Sequence, residues 1–523
     1  MHLVLLHGYL LQGTGSNIYV ANIARAWKAQ GHGVTVICQD RQAGDLPFVD
    51  EIILPGESLP DHPPAPGTIR VVVPFINDLL PVYVMDRYDG YTVKLIPDMT
   101  REEIETHIQL TALSVHRVAS QGVQLVLANH ALFGPVIARR GLVNTGVPYR
   151  VKIHGSAIEY TLVPHPELMS YAVEGLAGAE RIFVGTRYVK QRVQEVFSPF
   201  RQELILERKL AIVPPGMDPD VFNLAQNPEL HQRRFLEKVQ RAIRENPNGR
   251  KAMEPPPVAG KSLEEVNQQL LARADRYDQR AVDTDLPEKW QPLRPDEPLI
   301  LYFGKFIPAK GVGEIVLSIP RILQRIPQAR FVFVGFGSYR EHLEGMLWAL
   351  RTGDREAFRI FARAGEFVED PNPLQWFRPL RDPEAQRVVV TGILDHDTLR
   401  ELLPLASVVL VPSKWPEAFG MVAVEAMAAG VLPLCNYHAG LKDVVDEVQH
   451  VDPGLANYMK LDRKRFVQEL PDKVEQALQF LYPDGFSNHS YRKKIAELLR
   501  DISVRHFSWE GIARRLLESD SQT

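Results

Sequence analysis

The sequence predicts an α/β protein with two parallel sheets, one in each half of the chain. Three observations carry this. Residues 2–37 read strand, loop, helix, strand, and such a βαβ start implies parallel pairing with a right-handed crossover. A second series of short apolar runs, separated by helical stretches, opens at Leu299. The length of 523 residues exceeds what a single core organises, since cores stop growing beyond about 250 residues, so two domains plus insertions are expected.

In chain order, His2, Leu3, Val4, Leu5 and Leu6 form the apolar run of a strand covered on both faces. A loop bearing Gly8, Gly13 and Gly15 follows, and Ser16 or Asn17 can cap the next helix. Val20, Ile23, Ala24 and Trp27 recur at helical spacing, Gly31-His32-Gly33 ends that helix, and residues 34–37 make the second strand. Further buried-strand patterns fall at 69–73, 123–127, 149–153 and 181–184, with a proline-rich loop at 61–67. After Phe222 the composition turns charged and polar. Residues 224–296 carry Pro255-Pro256-Pro257 between helical patterns at 229–245 and 262–277, and read as an insertion or interdomain segment, partly mobile. The second series places strands at 299–303, 331–334, 388–390 and 408–411, with a charged, partly helical insertion between Arg340 and Arg387. Amphipathic helices near 491–504 and 509–517 close the chain. The expected division is 1–223, 224–296, 297–485 and 486–523.

Composition narrows the function classes. Hydrophobic residues make up 45% and charged residues 24%, as in soluble globular proteins. The net charge of -4 gives no global positive field for nucleic acid. Two cysteines, Cys38 and Cys435, are too few for a disulfide framework or a thiolate zinc site, and point to a reducing compartment. His7 and Gly8 interrupt the first apolar run and no basic segment precedes it, so a signal peptide is not expected and the cytoplasm is. No apolar run approaches the roughly 18 residues that span a bilayer. Peripheral membrane contact needs only a patch and stays open.

Two segments carry chemistry. In the first, a strand ends at Pro412, a loop holds Glu417, and a helix starts near Gly420 and carries Glu425. Ligands of open parallel sheets bind outside the carboxyl ends of strands, and a helix start offers free N–H groups and a positive dipole end to a phosphate. The two carboxylates can bind different hydroxyl-bearing parts of one extended ligand. Alternatively, Glu417 is a solvated loop residue and Glu425 a polar residue on a helix face. Against this, Glu425 sits among apolar neighbours at 421–429, where a carboxylate needs a partner. In the second segment Lys305 and Lys310 follow a strand end and can converge on a diphosphate. The plain alternative is two surface lysines.

In these and three further segments the chain resembles glycosyltransferase family 4, retaining enzymes with the GT-B fold. Glu417 through Glu425 matches that family's E-x7-E motif. Residues 304–311 match G-[RK]-x4-K-G, with Lys305 where arginine is commoner. Residues 214–222 resemble the P-N-G-V-D-x3-F segment, with Pro215 in place of asparagine. Gly31-His32-Gly33-Val34 resembles the first-helix exit and His154-Gly155 the His-Gly loop of the first domain. The resemblance implies two Rossmann-like domains with parallel sheets facing across an interdomain cleft. It implies that Lys305 and Lys310 hold the donor diphosphate and that Glu425 accepts hydrogen bonds from the ribose. Glu417, with Phe419, Gly420, Met421 and Val422, would hold the transferred sugar. Gly15 would let the first loop close on the phosphates. Gly335, Gly337 and Ile393 would line the base, and His154 would sit near the reacting sugar. His130 and Tyr88, within the tyrosine-rich stretch 86–91, are acceptor-side candidates with equally ordinary structural readings.

The reaction so implied is transfer of a hexose-type sugar from a nucleotide-diphosphate sugar, UDP- or GDP-linked, by a front-face route. The leaving phosphate would take the acceptor's proton, with no metal and no resident cofactor. Domain closure would exclude water. The acceptor class spans carbohydrates, polyols and lipid-linked groups, and no motif specifies it or the oligomeric state. Three alternatives remain: a GT-B sugar-nucleotide epimerase, a sugar phosphorylase, and a nucleotide-sugar-binding scaffold without turnover.

Overall fold

The structure is a computed structural model and describes all residues except 14, 84–87, 89 and 519–523. The chain divides into two compact units, Met1–Gly216 with Phe507–Thr523, and Met217–His506.

The strands of the first unit are β1 (His2–Leu6), β2 (Gly33–Ile37), β3 (Glu51–Ile53), β4 (Ile69–Val72), β5 (Leu79–Val82), β6 (Thr92–Leu95), β7 (Leu125–Asn129), β8 (Tyr149–Lys152), β9 (Arg181–Val184) and β10 (Leu210–Ile212). Eight of them form one sheet in the order β10-β9-β8-β7-β1-β2-β4-β3, and β5 pairs with β6 apart from it. All these pairings are parallel, with Val4 opposite Thr35 on one side and Val126 on the other. The continuous apolar run of β1 follows from burial of both faces. Val4 and Leu6 enter one core with Val126, Ala128 and Val151. Leu3 and Leu5 enter the other with Val34, Val36 and Trp27.

The second unit adds β11 (Leu299–Phe303), β12 (Arg330–Val334), β13 (Val388–Val390), β14 (Val408–Val411), β15 (Leu432–Asn436) and β16 (Lys460–Leu461), in a parallel sheet ordered β13-β12-β11-β14-β15-β16. The charged stretch 224–296 falls inside this unit. Helix Pro228–Glu245, in which Phe235 and Val239 are buried, packs on helix His396–Leu402. Helix Leu263–Ala274, closed by a Ser262–Glu265 capping box, packs on helices Arg340–Thr352 and Arg355–Arg363. Buried pairs tie the stretch down, Arg250 to Glu341 at 2.7 Å and Arg340 to Asp283 at 2.7 Å. Charge that reads as a mobile insertion is therefore neutralised in the interior of the second unit.

The last two helices divide between the units. Helix Ser490–Phe507 belongs to the second up to His506, and Arg500 donates to the carbonyls of Phe222 (2.7 Å) and Ala428 (2.8 Å). Helix Trp509–Arg515 belongs to the first and packs on helix Gly15–Ala29, where Trp27 Nε1 donates to the Ala513 carbonyl at 3.1 Å. Among the described residues no helix is long and apolar enough to cross a membrane.

Candidate functional site

In the second unit, three adjacent strands β13, β12 and β11 are followed by glycines that open their carboxyl edge. Gly304 follows β11, Gly335 follows β12 and Gly392 stands two residues past β13. At Gly335, φ is 151° and a Cβ would overlap the Gly304 carbonyl oxygen. At Gly337, φ is 150° and a Cβ would press on Phe306 backbone at 2.6 Å. Only glycine lets these turns pass so closely. Ile393 is half-buried beside Gly392, whose loop is backed by Ala281 and Asp283 of the charged stretch.

The loop after β11 is locked to the loop after β14. The Ala309 carbonyl accepts from the backbone N–H groups of Lys414 (2.9 Å) and Trp415 (3.2 Å). Gly311 has φ 69°, with the Pro412 carbonyl where a Cβ would lie. This clamp brings together two side chains 107 positions apart: Lys310 Nζ donates to Glu417 Oε1. Ser413 Oγ donates to the same oxygen at 2.6 Å. Behind them Asn436 Nδ2 donates to the Pro412 carbonyl at 2.8 Å, and Gly440 N to the Glu417 carbonyl at 2.9 Å. Lys414, despite its name, is internal: it pairs with buried Glu314 at 2.8 Å and braces the loop from below. Lys305 is exposed, with no ion pair among the described residues.

Gly420 precedes helix Met421–Ala428, with Leu441 so near that a Cβ would sit 2.7 Å from it. Phe419 is buried, while Met421 and Val422 are half-buried at the helix start. Glu425 lies one turn in. Burial pushes its carboxyl up to about 8. No side chain among the described residues is hydrogen-bonded to or paired with it. A half-buried acid without a protein partner is suited to hydroxyl donors of a ligand.

In the first unit, imidazoles gather at the carboxyl ends of β1, β7 and β8. Asn129 Nδ2 donates to the Leu6 carbonyl at 3.1 Å, which leaves Asn129 Oδ1 to accept from His154 Nε2 at 2.9 Å. The proton of the His154 ring is therefore on Nε2, and Nδ1 carries a lone pair. His7 repeats the device: Asn17 Nδ2 donates to the Gln12 carbonyl at 2.5 Å, and Asn17 Oδ1 accepts from His7 Nε2 at 2.9 Å. Burial keeps both rings neutral, His154 well below the usual histidine range and His7 down to about 4. His130 lies between them, in a left-handed conformation with φ 69°. The residue is 4% exposed; its ring stacks on His7 at 5.7 Å and lies tilted 5.0 Å from that of His154. Tyr88 stacks on Tyr9 at 6.1 Å. Asp86, Arg87 and Asp89 of the tyrosine-rich stretch lie outside the described residues. Gly15 is exposed at the start of helix Gly15–Ala29.

The structure thus joins Lys310, Glu417, Gly420 and Glu425 along one edge of the second sheet, and His130, His154 and Tyr88 along one edge of the first. Sequence reading passed over His7, Ser413, His107 and Thr111. His7-Gly8 after β1 repeats the His154-Gly155 pattern after β8, which is the signal that marks it.

Residues 14–206 match the glycosyl transferase 4-like domain, and residues 384–464 match the glycosyl transferases group 1 family. An uncharacterized glycosyltransferase from Methanocaldococcus jannaschii is 27% identical over 222 residues, 42% of this chain and 44% of its own length. The chain spans about half the length of the curated relatives it matches. Among solved structures, Anabaena HepE in complex with UDP superposes with a TM-score of 0.51 at 14% identity, over 99% of this chain and 98% of that one. The catalytic domain of starch synthase IV from Arabidopsis thaliana, bound to ADP and acarbose, gives 0.51 at 12% identity over 99% and 98%. Two Rossmann-like units with parallel sheets, of the GT-B type, are the fold these likenesses define. The chain belongs to the glycosyltransferases of the family 4 type.

Proposed function

We propose that the chain is a retaining glycosyltransferase that moves a hexose from a nucleoside-diphosphate sugar, UDP- or GDP-linked, to an acceptor hydroxyl. The observation that carries this reading is the contact of Lys310 and Ser413 with Glu417 at the carboxyl edge of β11 and β14, next to the start of helix Met421–Ala428. A diphosphate arriving there competes for the Lys310 ammonium. Glu417 is then released to accept hydrogen bonds from sugar hydroxyls. Lys305 and the helix start, with Gly420, Met421 and Val422, supply the remaining positive potential. Glu425, one turn deeper, accepts from the ribose.

In the transfer step the C1–O bond to the β-phosphate breaks and the acceptor oxygen bonds C1 on the same face. The acceptor's proton passes to the phosphate oxygen that leaves. The protein contributes orientation and charge stabilisation, and two lysines do what a metal does elsewhere. His154 and His130 take the acceptor side, and Gly335, Gly337 and Ile393 the base. UDP is the first nucleotide to test, because the HepE complex holds it. We assign the protein to the cytoplasm, which two buried, unpaired cysteines support.

The experiment is product analysis by proton NMR with a panel of UDP- and GDP-sugars and candidate acceptors. Retained anomeric configuration, with a rate insensitive to EDTA, is expected. An inverted product or abolition by EDTA refutes the reaction as written.

A further inference from the structure

We propose that the small cavity beside His130 in the first unit binds an uncharged hydroxyl of the sugar acceptor, and that His107 and Thr111 enforce this preference. The inference rests on the transferase reading and goes on to name the acceptor's chemistry.

The cavity opens at the carboxyl ends of β1 and β7 and holds about 30 Å³, room for one or two water-sized groups. His130, His107, Thr111, Tyr83 and Tyr9 are among its lining. Five polar atoms there have no hydrogen-bond partner: both ring nitrogens of His130, His107 Nδ1, Thr111 Oγ1 and His7 Nδ1. All four residues are more than nine-tenths buried. His107 and Thr111 stand in the stripe of helix Arg101–Ala119 that otherwise buries Ile104, Ile108 and Val115. Core positions of that kind normally hold aliphatic side chains, and an unpaired polar atom is costly there. A site that recovers these bonds only when occupied explains the choice.

The donor and acceptor pattern selects the ligand. Burial keeps the His130 and His107 rings neutral. Each neutral ring offers one N–H and one lone pair, and Thr111 offers both from one oxygen. A hydroxyl, which donates and accepts, satisfies such a set. A phosphate or carboxylate only accepts, and among the described residues lining the cavity none carries a positive charge to replace its hydration. The volume admits a hydroxyl or hydroxymethyl tip and excludes a sugar ring. The class is therefore an uncharged sugar or polyol with such a tip.

The test measures binding by calorimetry with UDP present, for three pairs: glucose and glucose 6-phosphate, myo-inositol and myo-inositol phosphate, glycerol and glycerol 3-phosphate. At least one neutral member is expected to bind more tightly than its phosphorylated partner. Thr111→Val and His107→Leu are expected to weaken that binding about three- to tenfold, the size of one or two hydrogen bonds, while UDP affinity stays the same. Thr111→Val removes only an unpaired hydroxyl, so its folding is secure. Lys310→Ala should lose UDP affinity and keep the neutral-probe affinity in the absence of UDP, which separates failure of the donor reading from failure of this one. Tighter binding of the phosphorylated members, binding by none of the neutral probes, or unchanged affinity in both cavity variants overturns the proposal; the last result marks a water-filled core.

Discussion

Replacing Lys310 with alanine separates catalysis from folding. In the free protein the Lys310 and Glu417 side chains are 34% and 26% exposed, so water screens their attraction. A pair so placed contributes about 0–1 kcal/mol to stability. One kcal/mol moves the melting temperature of a domain of this order by about 2–4 °C. The loop's position does not depend on the ammonium, because the Ala309 carbonyl and the Gly311 approach to Pro412 fix it through backbone. In the proposed reaction the same ammonium faces, in the transition state, charge developing on the leaving diphosphate. Loss of one preorganised donor of that kind costs about 10²–10³ in kcat, or about 2.7–4 kcal/mol. Initial rates at saturating donor, read beside thermal unfolding, distinguish the two scales. The expected variant melts within a few degrees of wild type and turns over at least a hundredfold more slowly. Lys310→Arg should recover part of the rate. Wild-type turnover in Lys310→Ala refutes the diphosphate role, and loss of the folded state refutes the claim that the clamp is a backbone one.

Glu425→Gln should alter the pH profile of stability. The native carboxyl holds its proton up to about 8, whereas the unfolded one releases it near 4.5. Between those values the native state binds more protons, so wild-type stability falls as pH rises. The glutamine variant should lack this slope and melt higher than wild type at pH 9, while losing donor affinity. Lys152→Met makes the opposite case in the first unit. Burial brings the Lys152 ammonium down to about 7 from an ordinary value of 10.5, so the unfolded state binds more protons between those values and stability rises with pH. Methionine should remove that rise, checked by denaturant unfolding at pH 6 and pH 10. Gly335→Ala should destabilise the second unit by about 2–5 kcal/mol, since it adds both a left-handed alanine and a clash with the Gly304 carbonyl. A melting temperature equal to wild type would count against the close turn.

Strands are legible where a buried segment is a near-continuous apolar run, as in β1, β2, β9 and β11 to β14, and their residues pair as the pattern suggests. β4 and β8 fall where the sequence places them although Arg70, Arg150 and Lys152 interrupt their apolar residues. β7 is displaced: the apolar pattern covers 123–127, but the ladder runs to Asn129, which pairs with Lys152. Polar residues close that strand because they build the imidazole edge, so hydrophobicity alone stops short. β15 was missed because Pro433 interrupts it. β3 and β10 are three-residue edge strands, too short for any period to show. No spacing rule joins Lys310 to Glu417; only the motifs of a family placed them on one list, and the contact itself comes from tertiary structure. His107 and Thr111 were hidden for the opposite reason, since they occupy helical core positions where a polar residue reads as noise.

The most direct test is calorimetric titration of UDP, UDP-glucose, GDP and GDP-mannose into wild type and the Lys310→Ala and Glu425→Gln variants. One nucleotide series is expected to bind at a single site, with affinity at least tenfold weaker in both variants, about 1.4 kcal/mol each. Absence of binding by every nucleotide, or equal affinity in all three proteins, contradicts a donor site at the carboxyl edge of β11 and β14.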